Sequence, residues 1–548
     1  MMFHNIYFSG MKNKNQLLSI FIFALFLCNG VFAQYSFQRL IGGVSQERGQ
    51  TLFQTLDGGY LYNAATLSYG SGSADGFFVK TNNQGLLEWA RAYGTSFFDN
   101  SEYAIQAYDG KLLGTGLTFF PGNATRDVLL FKTDSLGQLI WSKTYGGGSN
   151  DGAVHMIETN DHGYALVGST QSIGAGSDDI LFIRTDENGD TLFTRSYGSS
   201  ESEVGISIAE VPSGGFVICG KQTRIVGGFS LADGILLRTD ASGDLLWANL
   251  YGDSLWEELE SVAVNPDEGI VSCGAITTYG AGKYDVLCLK TNSTGDVDWA
   301  KAYGGAEVDA SYGVLINSDS SYTISGYTNS LGYGHENRGD DSTNIFLMKI
   351  NAFGDTVWTR SYGDGLQDEA FRNSATSDGG YLVSGFTTNY AFQDSAQMIM
   401  IKTDSLGFTG CHEFTSHPVV TDAPLVSRNT TFLQSSGLLT GTISLVEMLV
   451  NTDDEDACLY TFSEGSNFRS GFEIYPNPAH SLLTIQSAFS QEIDKVCISD
   501  IQGRTMDCKD LIRKTQFNLD LSDYSPGIYF MNIFYADAEV VVCRFVKN

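Results

Sequence analysis

The chain has 548 residues, more than one ordinary domain, and its 62 Gly against 8 Pro, with 27 Tyr and 35 Phe, suit many short strands joined by glycine turns. Its 63 acidic and 32 basic residues give a formal charge of −31, which argues against a nucleic-acid backbone or an anionic membrane as partner. Cations, basic partners and plain solubility remain compatible with that charge.

Residues 1–33 read as a signal peptide. Lys12 and Lys14 supply a basic region, residues 17–27 an apolar run too short to span a bilayer, and Val31-Phe32-Ala33 a cleavage site, with Met11 the expected true start. Cys28 leaves with this segment, and no later stretch is long and apolar enough to cross a membrane as a helix. In an oxidising compartment the remaining cysteines are sparse. Cys219, Cys273 and Cys288 fall in strands and are expected as buried small hydrophobes, Cys411 and Cys458 are candidates for one bridge, and Cys497, Cys508 and Cys543 for another pair.

From residue 75 onward one grammar recurs. Residues 127–146, DVLLFKTDSLGQLIWSKTYG, read as a strand, a tight turn closed by Gly137, a second strand with Trp141, and a Tyr145-Gly146 stop. The equivalent turn glycines are Gly85, Gly137, Gly189, Gly243, Gly295, Gly354 and Gly407, spaced by 52 to 59 residues, the length of a four-stranded propeller blade. In the third repeat strand A is expected over 153–158, B over 164–169, C over 180–185 and D over 191–197. The seventh copy lacks its strand D after Gly407, and FQRLIGG at 37–43 carries the missing pattern. The expected fold is therefore all-β: a seven-bladed β-propeller over residues 34–410, closed by the N-terminal strand.

Trp89, Trp141, Trp247, Trp299 and Trp358 stand four residues after their turn glycines, with Phe193 and Phe37 in the other two places. This spacing resembles the tryptophan-docking motif of quinoprotein-like propellers, which implies an indole packed across to a neighbouring blade. Phe131 and Ile183 stand where that family has Ala, and seven blades depart from its eight, so its cofactor does not carry over. The repeat as a whole is similar to the propeller repeats of bacterial secreted proteins.

Six residues after each repeat tyrosine, or its equivalent, stands a carboxylate: Glu47, Asp99, Asp151, Glu203, Glu257, Asp309 and Asp368. A second set opens strand C: Asp75, Asp127, Asp179, Asp233 and Asp285, replaced by Asn344 and Gln397 in the last two blades. Occurrence in every blade favours backbone-capping carboxylates; the functional alternative is a ring of oxygen ligands at the channel mouth, holding Ca²⁺ weakly. No other cofactor is expected, and no Cys or His spacing suggests zinc. His155 falls within strand A among apolar neighbours, which favours a packed or channel-lining histidine over a general base. The longest B-to-C loop, NSLGYGHENRGDDS at 329–342, offers His335, Glu336, Arg338 and Asp340 as binding-loop candidates. Trp256 is the one tryptophan outside the repeat motif.

Residues 411–470 do not repeat, and their Ser/Thr-rich and acidic stretches suggest a connector with a few strands. From 471 to 548 alternating strands of a small β-sandwich follow. Tyr475-Pro476-Asn477-Pro478, the DIQGR segment containing Gly503, SPGIY with Gly527 and Tyr529, and the closing run ending at Lys547 resemble the type A C-terminal sorting domain of the Bacteroidota type IX secretion system. The resemblance implies type IX machinery as partner, export through the outer membrane, and release or attachment at the cell surface. Two functions remain open: a secreted or surface propeller binding an extracellular protein or glycan, and an extracellular polysaccharide hydrolase or lyase using carboxylates at the channel.

Overall fold

The computed structural model describes residues 35–548 except 120–124, 253–254, 333–341, 364–365, 389–395, 426, 443–444, 451–452, 457–471, 476–481, 488–492, 500–504, 515, 523, 526, 536–539 and 548. Seven antiparallel sheets succeed one another along the chain, each a meander of four strands with a fifth added at its outer edge. In blade three the meander is Asp151–Glu158, Tyr164–Thr170, Asp179–Thr185 and Thr191–Gly198. The third of these is buried along its whole length, because both its faces pack on neighbouring blades. Leu130, Leu166, Leu181 and Ile183, from blades two and three, share one such core.

The joint between blades has a fixed chemistry. Each turn glycine between strands C and D adopts a positive φ, +76° at Gly189 and +78° at Gly137, where a side chain is strained. The aromatic ring of the preceding blade lies against it: a Cβ on Gly189 would come within 2.8 Å of the Trp141 ring, and one on Gly243 within 2.5 Å of Phe193. The tyrosine of the same preceding strand then donates its hydroxyl to the glycine carbonyl. Tyr93 reaches Gly137 at 2.5 Å, Tyr145 reaches Gly189 at 2.6 Å and Tyr362 reaches Gly407 at 2.6 Å. At the seam Phe37 covers Gly85 in the same way.

The N-terminal strand Phe37–Gly42 pairs antiparallel with Gln397–Lys402, Phe37 opposite Lys402 and Ile41 opposite Met398. It is strand D of blade seven, so the ring closes as the sequence implied. Tyr62, from blade one, locks the seam by donating to the Gly385 and Ile399 carbonyls at 2.6 and 2.8 Å.

The stretch after the ring does more than connect. It travels back around the rim and leaves one short strand on each blade in reverse order. Glu413–Thr415 adds to blade six, Val419–Asp422 to five, Ser427–Asn429 to four and Leu433–Ser435 to three. Leu439–Thr442 follows on blade two, Val446–Val450 on one, and Asp453–Asp456 on the seam strand of seven. Between these strands single apolar side chains drop into the clefts between blades: Leu425 between four and five, Phe432 between three and four, Leu438 between two and three, Leu445 between one and two. Cys411, at the start of this belt, is disulfide-bonded; its expected partner Cys458 lies outside the described residues.

Beyond the belt, two small sheets, of three and four strands, share a core of Leu483, Ile485, Val496, Ile498, Leu519 and Met531. Cys497 and Cys508, opposite each other on paired strands, form a disulfide, while Cys219, Cys273 and Cys288 are buried free thiols in the blades.

Gly189→Ala is expected to destabilise the ring by about 2 kcal/mol or more, through a left-handed residue with a Cβ forced against Trp141. Gly148→Ala, where a Cβ meets open space, is expected to leave the denaturant midpoint unchanged. A chain ended at residue 412 is expected to melt lower and to self-associate, since seven outer strands regain free edges; an unchanged melt and a monomeric light-scattering mass would show the belt to be dispensable.

Candidate functional site

The seven carboxylates at the start of the innermost strands lie inside the wall of the ring, none more than 1 % exposed. Each turns back over the loop from the previous blade. Gly43 N–H donates to Glu47 at 3.0 Å, Gly147 N–H to Asp151 at 2.9 Å, Ser199 N–H to Glu203 at 3.0 Å and Gly305 N–H to Asp309 at 2.8 Å. Thr95 N–H holds Asp99 at 2.6 Å. A hydroxyl from the adjoining strand completes the clasp, from Thr66 to Glu47, Thr118 to Asp99, Thr170 to Asp151 and Thr328 to Asp309. Gln222 does this for Glu203 at 2.7 Å, and Thr278 donates to Glu257. Asp368 is buried at the same register position, its main-chain N–H held by Thr343.

The strand-C acids converge on the same joints. A Cβ on Gly304 would lie 2.1 Å from Asp285 Oδ1 and 2.7 Å from Asp309 Oδ2, so both carboxylates crowd one glycine. Burial therefore pushes the Asp75 carboxyl up to about 6, opposed by the Gly72 N–H and reinforced by the Asp99 charge. Burial and the Asp151 charge raise Asp127 to about 6. Among the described residues no three His, Cys, Asp or Glu side chains converge as metal ligands.

The innermost strands share a second feature. All seven carry a register shift at one place, between Ala153 and His155 in blade three and at the equivalent positions elsewhere. Such a bulge leaves one residue out of the ladder and re-aims it. The bulged residues are Gln50, Glu102, Val154, Ile206, Glu260, Tyr312 and Phe371, six residue types over seven blades.

Arg372, next to one bulge, reaches across the channel. Its guanidinium donates to the Glu260 carbonyl at 3.1 Å and to the Tyr312 carbonyl, on blades five and six, and lies 6.0 Å from the Tyr103 ring of blade two. Tyr103 packs on His155 with ring centroids 4.1 Å apart. His155 accepts the Ile208 N–H at 3.4 Å, and burial, then the Arg372 charge, hold its pKa well below the ordinary histidine range. It is a packed neutral histidine at the channel wall.

Around Arg372 gather the side chains that break the repeat. Tyr312 neighbours Tyr327 at 5.9 Å and Phe371 at 5.8 Å, and Phe371 neighbours Phe386 at 5.9 Å. Arg48 stands 5.6 Å over Phe386. On the other side Lys221 pairs with Glu258 at 2.7 Å and lies 5.4 Å over the Trp256 ring. Burial pushes Glu260 up to about 7, with the Glu258 charge adding and Lys221 and Arg372 opposing. Glu102 is raised by burial against the pull of Arg372 and Arg126. The loop candidates His335, Glu336, Arg338 and Asp340 lie outside the described residues, as do Pro476, Asn477, Pro478 and Gly503. Tyr475 closes the strand Phe472–Tyr475. Gly527 pairs with Lys547, and the buried Tyr529 donates its hydroxyl to the Ser525 carbonyl at 2.7 Å.

Residues 473–548 match the family described as the secretion system C-terminal sorting domain. The chain thus carries a type IX export domain, and the protein is secreted or displayed at the cell surface by way of the outer membrane. No helix among the described residues is long and apolar enough to cross a membrane. No curated protein matches the chain. Among solved structures it is similar to the extracellular domain of a protein of B. thetaiotaomicron described as a one component system, at 10% identity and a TM-score of 0.19 over 94% of this chain and 99% of that one. A second, the extracellular domain of a hybrid two component system of the same organism, is 7% identical with a TM-score of 0.26 over 91% and 68%. At these values neither likeness bears on fold or activity.

The raised acids set a pH dependence. A carboxyl near 6 in the folded state and near 3.8 unfolded stabilises the ring below about pH 4, and that contribution is lost as pH rises through 6. The thermal midpoint is expected to fall between pH 5 and 7.5, and the double variant Asp75→Asn, Asp127→Asn to flatten that fall and melt higher at pH 7.5. Asn344 already occupies the equivalent place in blade six. An unchanged slope would show that these acids are not the titrating groups.

Proposed function

We propose that the protein is an exported, non-catalytic binding module that takes its extracellular ligand at the channel mouth lined by Tyr312, Tyr327, Phe371, Glu258, Glu260 and Arg372. One observation carries this reading: positions that repeat around the ring are occupied with joints and loop clasps, while the seven equivalent bulges carry six different residue types, only Glu occurring twice. A ligand without sevenfold symmetry needs that inequality. The type IX sorting domain supports an extracellular place of action.

The polysaccharide-hydrolase reading draws less support. The carboxylates first in line for acid and base, such as Asp99, Asp151 and Glu203, are buried and bonded to loop N–H groups and hydroxyls. Raised Glu260 lies near Arg372 and Glu258, an arrangement that suits holding a polar ligand as readily as proton transfer.

The test is an array of glycans and extracellular proteins probed with the full exported chain, alongside a polysaccharide-degradation assay. Retention of a ligand without release of fragments is expected. Tyr312→Ala is expected to weaken retention about tenfold or more, and Leu136→Ala, at an exposed C-to-D turn, to leave it unchanged. Cleavage of a polysaccharide, or retention indifferent to Tyr312, would overturn the reading.

A further inference from the structure

Blade five breaks the repeat at one pair of facing positions. In the other six blades a residue in the middle of strand B stands opposite Phe, Leu or Met in strand C, as Val167 does opposite Phe182 and Ser325 opposite Leu347. In blade five, whose strands B and C are Ile270–Ile276 and Asp285–Thr291, Cys273 stands opposite Cys288. Both turn to the face packed on blade six, in one core with Ile324, Phe346 and Met348, and both are free thiols in the structure. Facing residues in an antiparallel ladder alternate between pairs that exchange main-chain hydrogen bonds and pairs that do not, the latter with Cα atoms about 4.5 Å apart and side chains closer. In blade seven Thr403 N–H donates to the Tyr381 carbonyl at 2.8 Å, so Ser384 and Met400, three steps along, form a pair without such bonds. Cys273 and Cys288 hold the same place in blade five. That spacing lies within the range that disulfides span. The chain makes one bridge of this kind, between Cys497 and Cys508, which also face each other on neighbouring strands.

We propose that Cys273 and Cys288 are a disulfide site, bridged by a disulfide-bearing oxidant while this face of blade five is uncovered, and kept as two thiols if blade six closes over them first. One cysteine, as thiolate, attacks the oxidant's disulfide, giving a mixed disulfide and releasing one thiol. The second cysteine, as thiolate, attacks the protein sulfur of that intermediate. The cross-strand S–S bond forms and the second thiol leaves, so two protein thiols are oxidised, one oxidant disulfide is reduced, and both protons end on the departing thiols. The order of events follows from the topology. Strands B and C meet through local contacts, whereas blade six comes later in the chain. Once it has docked, both cysteines are fully buried. Burial then pushes the Cys273 thiol up to about 12 and Cys288 well up, with Cys273 adding to the latter, which leaves almost no thiolate to react. The export domain carries the chain through the outer membrane, a route on which disulfides form and persist. Cys219 is the internal comparison: it holds the place of Cys273 in blade four, but faces Leu236 and lies in the core between blades four and five.

The test compares the full chain exported to a bacterial periplasm with the same chain lacking residues 1–33 and folded in a reducing cytoplasm. Each is unfolded in an alkylating agent, which caps free thiols, then digested and read by mass spectrometry. In the exported chain the peptide pair joined through Cys273 and Cys288 is expected to exceed the capped thiols about tenfold or more, and Cys219 to be capped. In the cytoplasmic chain all three are expected to be capped, and to stay so after the folded protein is held in oxidised glutathione. Cys288→Ala is expected to leave Cys273 capped in the exported chain, with no new bridge to Cys219; Cys219→Ala is expected to leave the Cys273–Cys288 bridge in place. Capped Cys273 and Cys288 in the exported chain, or a bridge from either to Cys219, would overturn the proposal. Bridging of the folded cytoplasmic chain by glutathione would overturn the order of events, since blade six would then not protect the pair.

Discussion

The ring depends on one repeated contact: a glycine turn that accepts an aromatic face and a tyrosine hydroxyl from the blade before it. Each part needs the others. The glycine is required both by its positive φ and by the space the indole occupies. The buried tyrosine hydroxyl needs an acceptor, and the turn carbonyl supplies it at 2.6 Å for Tyr145, Tyr251, Tyr303 and Tyr362 and at 2.5 Å for Tyr93 and Tyr197. A single hydrogen bond of this kind contributes about 1 kcal/mol, so the joint acts through repetition and through the apolar area it covers.

Around that ring of joints the belt performs a different task. A propeller whose blades end in a bare outer strand presents seven edges, each a template for another chain. The strands from 413 to 456 cover those edges, and Leu425, Phe432, Leu438 and Leu445 fill the clefts that open between blades at the larger radius. Polar contacts fix the register. Arg428 reaches Asp233 at 2.7 Å, and Glu447 accepts the Leu139 N–H at 2.7 Å while pairing with Arg91. The belt adds apolar burial where a wedge-shaped blade alone leaves gaps.

Most of the ring was legible because each repeat states its own rules. Turn glycines, docking aromatics and the missing seventh strand D gave blade number and closure, and the position of Glu47, Asp151 and their equivalents gave the loop clasps. The belt was hidden for a physical reason. Its strands are three to five residues long, too short for an alternating pattern, and their partners lie tens to hundreds of residues away, as in Tyr362 opposite Glu413 and Gly94 opposite Val446. The spacing of Leu425, Phe432, Leu438 and Leu445 was the available signal, readable once blade width is known. Arg372, Glu260 and Tyr312 were missed because a bulge in every innermost strand moves one residue out of alternation. The clue was a column that varies from copy to copy, beside columns that repeat.

The belt ends on the strand with which the ring begins: Asp453–Asp456 lies beside Phe37–Gly42 at the outer edge of blade seven. Both ends of the folded ring therefore leave from one point on its circumference. Anything joined downstream, whether export domain or surface anchor, hangs from that point like a leash on a wheel's tread. At its root such a tether runs along the rim and crosses neither flat side of the wheel.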